Sequence, residues 1–497
     1  MVQRTTPAGG TLPSAKAPAP AAPAKLLPVI GWARADHDKD TPSIGFTRKT
    51  DRERTKAIIE TILLKGEGHL MTVAPTGAGK GVRCIIPALL SYEGSAIVID
   101  PKGENHAVTA RRRREMGHTV HVLDPFGVTG PATDALNPLD LIKADEPDAL
   151  DDADVLAGLL LQGRTSLRDP FWDDMARDLI RSLILYVASD SPKALRNLPE
   201  VEYLLSMSAR DFDLTLKDMA RSRNPMVQRG ASAFASAEPK VAASIRSTAQ
   251  QHSFFLRSPQ VAQTLYRTFI DVEGLCEGKA VTVYIVIPPN KLASHGKLLR
   301  LWVGALLNLL TKRTRKPKLP TLFLLDEAAQ LGTLAQLTAA VTLMRGYGVK
   351  TWTFWQDLDQ LEALYPADSR TLINNCATHM AFGLTTLTGA KKVANAFGYE
   401  RKPRELLKLK SGEMLLSRAG QAPVVAQLPD YLTERRFAGL FDPNPYHAPR
   451  PPEAEKDCPL AQGSAPEAAR VRPEPSSPRL RLEDLRGRAA SEPLRKE

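Results

Sequence analysis

Short apolar runs bounded by turn residues recur along the chain at 69–74, 95–100, 119–123, 282–287, 321–325, 351–354 and 379–382. Short, mostly apolar runs bounded by turns are the pattern of strands buried on both faces. Amphipathic stretches separate them, so the alternation predicts a parallel sheet covered by helices. Residues 143–272 break the pattern. There Met175, Leu179, Leu183 and Tyr186 recur at three- or four-residue steps, and no strand is legible. The expectation is an α/β domain over 41–142 and 273–440, interrupted by an all-α insertion over 143–272.

The ends differ from the body. The first 28 or so residues are rich in Ala and Pro, and the leader is expected to be disordered to residue 40. From 443 to 497 the chain carries eleven prolines in 55 residues and no apolar periodicity, and it reads as a disordered tail. No apolar run approaches the roughly 18 residues needed to span a bilayer, and the N-terminus has no secretory h-region. The four cysteines, Cys84, Cys276, Cys376 and Cys458, are too dispersed for a disulfide framework or zinc knuckle. Net charge is +11. The tail holds ten Lys/Arg against nine Asp/Glu, so the excess belongs to the body, where it can attract phosphate backbones or an anionic membrane face.

Candidate chemistry begins after the first of these strands. Ala74-Pro75-Thr76-Gly77-Ala78-Gly79-Lys80-Gly81 leads from a strand into a helix expected over 79–91, the context of a P-loop. Thr76, Gly77, Ala78, Gly79, Lys80 and Gly81 are the candidate nucleotide-binding residues. Their backbone N–H groups would cradle phosphate, and Lys80 would reach the β- and γ-phosphates of ATP. Two positions depart from the usual G-x-x-x-x-G-K-[ST]: Ala74 stands for the first Gly, and Gly81 for the hydroxyl that normally serves Mg2+.

A second apolar strand ends in Asp326-Glu327. Asp326 is the candidate metal residue, orienting Mg2+ or its waters, and Glu327 the candidate acceptor of a proton from attacking water. Gln356 closes the next strand, which in NTPases with an adjacent catalytic Glu lies between the P-loop and acidic strands; it is the candidate sensor of γ-phosphate or water. Arg345 is a candidate arginine acting on a neighbouring subunit in a ring, or an ordinary helix-end arginine. The run Arg111, Arg112, Arg113 and Arg114 is expected to be a solvated helix face.

Together these segments resemble the type IV secretion coupling proteins, the TraG-type conjugative DNA-transfer ATPases. The likeness rests on the P-loop through Val82, on Val98-Ile99-Asp100-Pro101-Lys102-Gly103-Glu104, on Leu136-Asn137-Pro138-Leu139, on Leu324-Leu325-Asp326-Glu327 with Leu331-Gly332, and on Arg345-Gly346-Tyr347-Gly348 leading to Gln356. It covers about residues 65 to 435. The Lys-Gly ending of the P-loop is usual in that family. The resemblance implies a RecA-like P-loop NTPase with an all-α domain that receives cargo, assembled as a homo-hexamer around a channel. It implies ATP and Mg2+ as cofactors, DNA or a relaxase–DNA complex as cargo, effector protein as a further cargo, and type IV secretion channel components as partners at the cytoplasmic face of the bacterial inner membrane. Typical members begin with transmembrane helices; this sequence shows none, which points to a separate membrane anchor, a cytosolic mode of action or a misassigned start. The competing readings are a docking adaptor that binds nucleotide without productive hydrolysis, and a helicase. The first is motivated by Gly81; the second lacks a late arginine-rich motif.

Overall fold

The computed structural model describes residues 28–34, 59–64, 66–161 and 170–447. Among them, eleven strands form one sheet in the order β2-β1-β11-β10-β9-β3-β8-β7-β4-β6-β5. The strands are β1 (Val29–Arg34), β2 (Ile59–Leu63), β3 (His69–Val73), β4 (Ala96–Ile99), β5 (Thr119–Leu123), β6 (Val281–Ile285), β7 (Thr321–Leu325), β8 (Val349–Trp355), β9 (Cys376–Ala381), β10 (Glu413–Arg418) and β11 (Val424–Gln427). From β9 to β5 every neighbouring pair is parallel. These seven are the strands that the apolar runs predict. The other four extend the sheet by antiparallel pairing.

Successive strand residues point to opposite faces. Met71, Val73, Ile97, Ile99, Phe323 and Leu325 join the large core on one face. Leu70, Val98, Leu322, Leu324, Trp352 and Phe354 face the other, where Cys84, Ile85, Ala88 and Leu89 cover them. Double coverage explains why β3, β4, β6 and β7 read as mostly apolar runs.

The P-loop leads into a π-helical turn at Gly81–Ile85 and then α1 (Ile86–Ser91). Pro87 supplies no N–H to the helix ladder, and the looser turn sits where that donor is missing. After β4 comes α2 (Glu104–Glu115). Between β5 and β6 lie α3 (Ala149–Leu160), α4 (Phe171–Ser189), α5 (Leu198–Ser206), α6 (Ala209–Met219), α7 (Pro225–Ala235), α8 (Pro239–Ser253), α9 (Pro259–Leu265) and α10 (Val272–Glu277). Asn197, Ser208, Asn224 and Asp271 each accept a backbone N–H bond at the start of one of them, which satisfies donors a helix start leaves free. Their apolar residues belong to the same buried cluster as one sheet face, so the helical segment shares a core with the sheet. The long helix α11 (Pro289–Thr311) packs against α3. A Cβ at Gly304 would sit 2.3 Å from Leu159 Cδ2, so a larger residue there would force the Leu159 side chain to move.

Three expectations change here. The leader expected to run to residue 40 contains β1, which pairs with β2 and β11; the earlier leader residues lie outside those described. The expected tail begins inside the fold: Asn444 and Tyr446 bond to Glu104 and to the Lys102 carbonyl, and residues beyond 447 lie outside those described. The run at 111–114 is only partly a solvated face. Arg113 is fully buried. Its guanidinium donates to the carbonyls of Leu89 (3.2 Å), Gly94 (2.7 Å) and Tyr92 and to Thr282 Oγ1 (2.9 Å). Acceptors around the buried cation, not solvent, set its place.

Candidate nucleotide-binding site

The P-loop lies at the C-terminal end of β3, tied by the Ala74 N–H to the Trp355 carbonyl at 2.9 Å. Gly77 and Gly79 have φ of +81° and +94°, a region that side-chain-bearing residues rarely adopt. Thr76 and Gly77 are exposed at the tip, while Ala78, Gly79 and Gly81 are half-buried and Lys80 is buried. Gly383, after β9, braces the loop: a Cβ there would come 2.7 Å from Ala78 Cβ. The sequence reading did not single it out, and its signal was only a glycine closing an apolar strand.

The acidic strand β7 lies two places away, with β8 between, as expected of the sheet order. Lys80 Nζ donates to Glu327 Oε1 at 2.7 Å. The side chain of Gln356, just after β8, donates to Glu327 Oε2 at 2.9 Å. One carboxylate therefore holds the P-loop lysine and the glutamine together. Glu327 has φ +52°, and among the described residues it is the non-glycine residue with positive φ. Such a conformation costs roughly 1–3 kcal/mol and recurs at functional sites.

Asp326 precedes it, and its Oδ1 accepts the Glu327 N–H at 3.1 Å. Burial pushes the Asp326 carboxyl up to about 6, with Lys80 pulling it down and Glu327 pushing it up. Asp100, at the end of β4, is buried too, and burial raises it to about 7. Its oxygens accept the N–H groups of Asn105 (3.2 Å) and His106 (2.8 Å), capping α2. Gly103, at φ +68°, makes that turn possible. Arg83 reaches Asp430 at 3.2 Å and so pins the helix after the P-loop to the C-terminal segment.

Among the described residues no three His, Cys, Asp or Glu side chains gather as a self-sufficient metal centre. Mg2+ in phosphate sites is held by phosphate oxygens, waters and one or two carboxylates. A buried carboxyl beside a glycine-built cradle and a lysine fits that donor set. Arg345 stands apart. It precedes β8, at the N-terminal ends of the parallel strands, is 64% exposed, and has Glu67 at 3.8 Å. The structure does not bring it to Lys80, so within one chain it takes no part in this site. No helix among the described residues is long and apolar enough to cross a membrane.

The model of the family "Type IV secretory system Conjugative DNA transfer" matches residues 39–401. The chain is 28% identical over 378 residues to the conjugal transfer protein TraG of Escherichia coli, covering 72% of this chain and 59% of that one. It is 29% identical over 302 residues to the VirD4 protein of Agrobacterium fabrum, covering 60% and 44%. The chain thus spans less than two thirds of the length of these curated relatives. Among solved structures, the bacterial conjugative coupling protein TrwBdeltaN70 superposes with a TM-score of 0.59 at 16% identity, over 74% of this chain and 86% of that one. Plasmid coupling protein TrwB in complex with the ATP analogue ADPNP gives 0.57 at 17% identity, over 73% and 85%. These likenesses show the fold. With a family match running from before β2 to beyond β9, the chain belongs to the type IV secretory system conjugative DNA transfer family.

Proposed function

We propose that the chain is an ATPase of the coupling-protein kind, binding ATP with Mg2+ and using hydrolysis to deliver DNA or a relaxase–DNA complex to a type IV secretion channel. One observation carries the reading. Lys80 from the P-loop and Gln356 from β8 converge on Glu327, beside Asp326, at the C-terminal ends of three adjacent strands. One TrwB structure holds ADPNP and another holds ADP and Mg2+; the same ligands are proposed here.

The chemistry follows from the shared carboxylate. A terminal phosphate would draw Lys80 away from Glu327. Glu327 would then keep Gln356 as its partner and be free to accept a proton from attacking water. Asp326 would hold Mg2+, which when bound neutralises charge on the phosphates. The loop residues Thr76, Gly77, Ala78, Gly79 and Gly81 would supply backbone N–H groups.

In the proposed assembly, a homo-hexamer lines a channel with its basic body and grips DNA through phosphates without reading bases. Arg345 can join a nucleotide site only from a neighbouring subunit. The helices over 143–272 would meet the cargo, and the ring would act at the cytoplasmic face of the inner membrane.

Steady-state phosphate release, with and without single-stranded DNA, tests the proposal on wild type, Lys80→Ala and Glu327→Gln. DNA-stimulated release is expected for wild type, lost nucleotide affinity for Lys80→Ala, and lost turnover with retained affinity for Glu327→Gln. Equal release by wild type and Glu327→Gln would remove Glu327 from the mechanism. Gly81 favours a second reading, a docking adaptor; nucleotide binding without any phosphate release would select it.

A further inference from the structure

Gly81 takes the place of a hydroxyl that normally serves the cation, so another oxygen must serve instead. A Cβ built on Gly81 meets one atom within 4 Å beyond its chain neighbours, Glu104 Oε1 at 3.9 Å. The missing side chain would therefore have pointed at this carboxylate. The separation leaves contact distance and no clash, so both positions face the same small volume beside Lys80.

Glu104 is built into that place. It opens α2, immediately after the left-handed turn at Gly103 and the cap that Asp100 forms. Asn444 Nδ2 donates to its Oε1 at 2.7 Å, and Asn444 is itself bonded to the Tyr431 hydroxyl at 2.7 Å. His447 Nε2 lies 3.7 Å from the same oxygen. Among the described residues, Oε2 has no hydrogen-bond partner. The side chain is only 14% exposed. A carboxylate braced by a neutral amide at the edge of a phosphate cradle has the chemistry of a divalent-cation ligand.

We propose that Glu104 is the oxygen donor that replaces the P-loop hydroxyl, serving Mg2+ directly or through one of its waters, together with Asp326. This rests on the nucleotide reading above and deepens it. Gly81 and Glu104 then form a functional pair 23 positions apart: the residue without a side chain leaves room for the other's carboxylate.

The test measures Mn2+ affinity of the full chain in the presence of ADP, by electron paramagnetic resonance. A fluorescent ADP analogue, titrated in EDTA, reports nucleotide affinity without metal. Wild type, Glu104→Gln and the double variant Gly81→Ser/Glu104→Gln are compared. The amide in Glu104→Gln keeps the size of the side chain and an acceptor for Asn444. Its Mn2+ affinity should fall about tenfold or more, with unchanged affinity for the analogue in EDTA. The double variant, which supplies the usual hydroxyl, should recover most of the loss. Wild-type Mn2+ affinity in Glu104→Gln overturns the assignment. So does failure of the serine to rescue, or an equal loss of affinity in EDTA, since either makes Glu104 a structural brace. If the wild type itself binds no nucleotide in either condition, the underlying nucleotide reading fails.

Discussion

The two ends of the same parallel strands use charge in opposite ways. At the C-terminal ends, the partner of Lys80 is the carboxylate of Glu327. At the N-terminal ends, buried cations are held by main-chain carbonyls. Lys350, near the start of β8, donates to the Gly66 carbonyl at 3.1 Å. Arg313 donates to the carbonyls of Tyr347, Gly348 and Leu275 and to Thr321 Oγ1, at 2.6–3.1 Å. Arg113 fastens the stretch leading into β4 to the start of β6. A carbonyl of the chain cannot leave, so these bonds fix the strand ends. A carboxylate can be exchanged for a phosphate, so the Lys80 bond is suited to a ligand. The nature of the partner, more than the cation, separates scaffold from site.

That contrast predicts that substitutions at one end change chemistry without stability, and at the other stability without chemistry. The largest effect belongs to Glu327→Gln. Turnover should fall about 10²–10³-fold through loss of a proton acceptor, while the thermal midpoint and ADP affinity stay near wild type. A midpoint collapse would place Glu327 in the scaffold and erase the contrast.

Arg113→Met comes next. It leaves the carbonyls of Leu89, Tyr92 and Gly94 without their donor, at a cost of about 3 kcal/mol or more read from urea unfolding. Arg111→Ala, at a half-buried position paired with Glu115 and Asp442, should cost less, about 1 kcal/mol. Equal costs would mean that burial of Arg113 contributes nothing.

Acid should weaken the N-terminal ends of the strands. Burial holds the His69 imidazole down to about 4, helped by Lys350, and His118 down to about 3, helped by Arg113. Unfolded, both titrate near 6.5. The stability from keeping them neutral is complete above pH 6.5 and is lost as pH falls from there toward 4. Each can contribute up to about 1.4 kcal/mol per pH unit. A His69→Gln variant should show a shallower acid decline in its urea midpoint; an unchanged slope would exclude His69 as a source.

The smallest effect is expected for Arg345→Ala. Its exposed contact with Glu67 is worth less than about 1 kcal/mol, and ADP affinity measured calorimetrically on dilute chain should not change. A clear loss of affinity there would mean that Arg345 reaches the site within one chain.

The sequence made some of this legible and hid the rest for identifiable reasons. The strands β3, β4, β6 and β7 stood out because burial on both faces leaves mostly apolar runs. The edge strands did not: β1 carries Gly31 amid Val29, Ile30 and Trp32, β11 has four residues, and β10 has three consecutive apolar residues between charged ends. Lys80, Asp326, Glu327 and Gln356 were legible because each sits where a strand ends, and strand ends of a parallel sheet converge. Arg113 was hidden in a run of four arginines, since only packing separates a buried member from exposed ones. Glu104 stood inside a recognised motif, yet its nearness to Gly81 is a fact of space with no local signature.

The proposed function requires Lys80, Asp326, Glu327 and Gln356 to surround the phosphates of one nucleotide. A crystal structure of the full chain with ADPNP and Mg2+ tests this most directly. The account predicts phosphate oxygens within hydrogen-bond distance of Lys80 Nζ, and Glu327 bonded to Gln356 but released from Lys80. Nucleotide bound elsewhere, with the Lys80–Glu327 bond still at 2.7 Å, would contradict it.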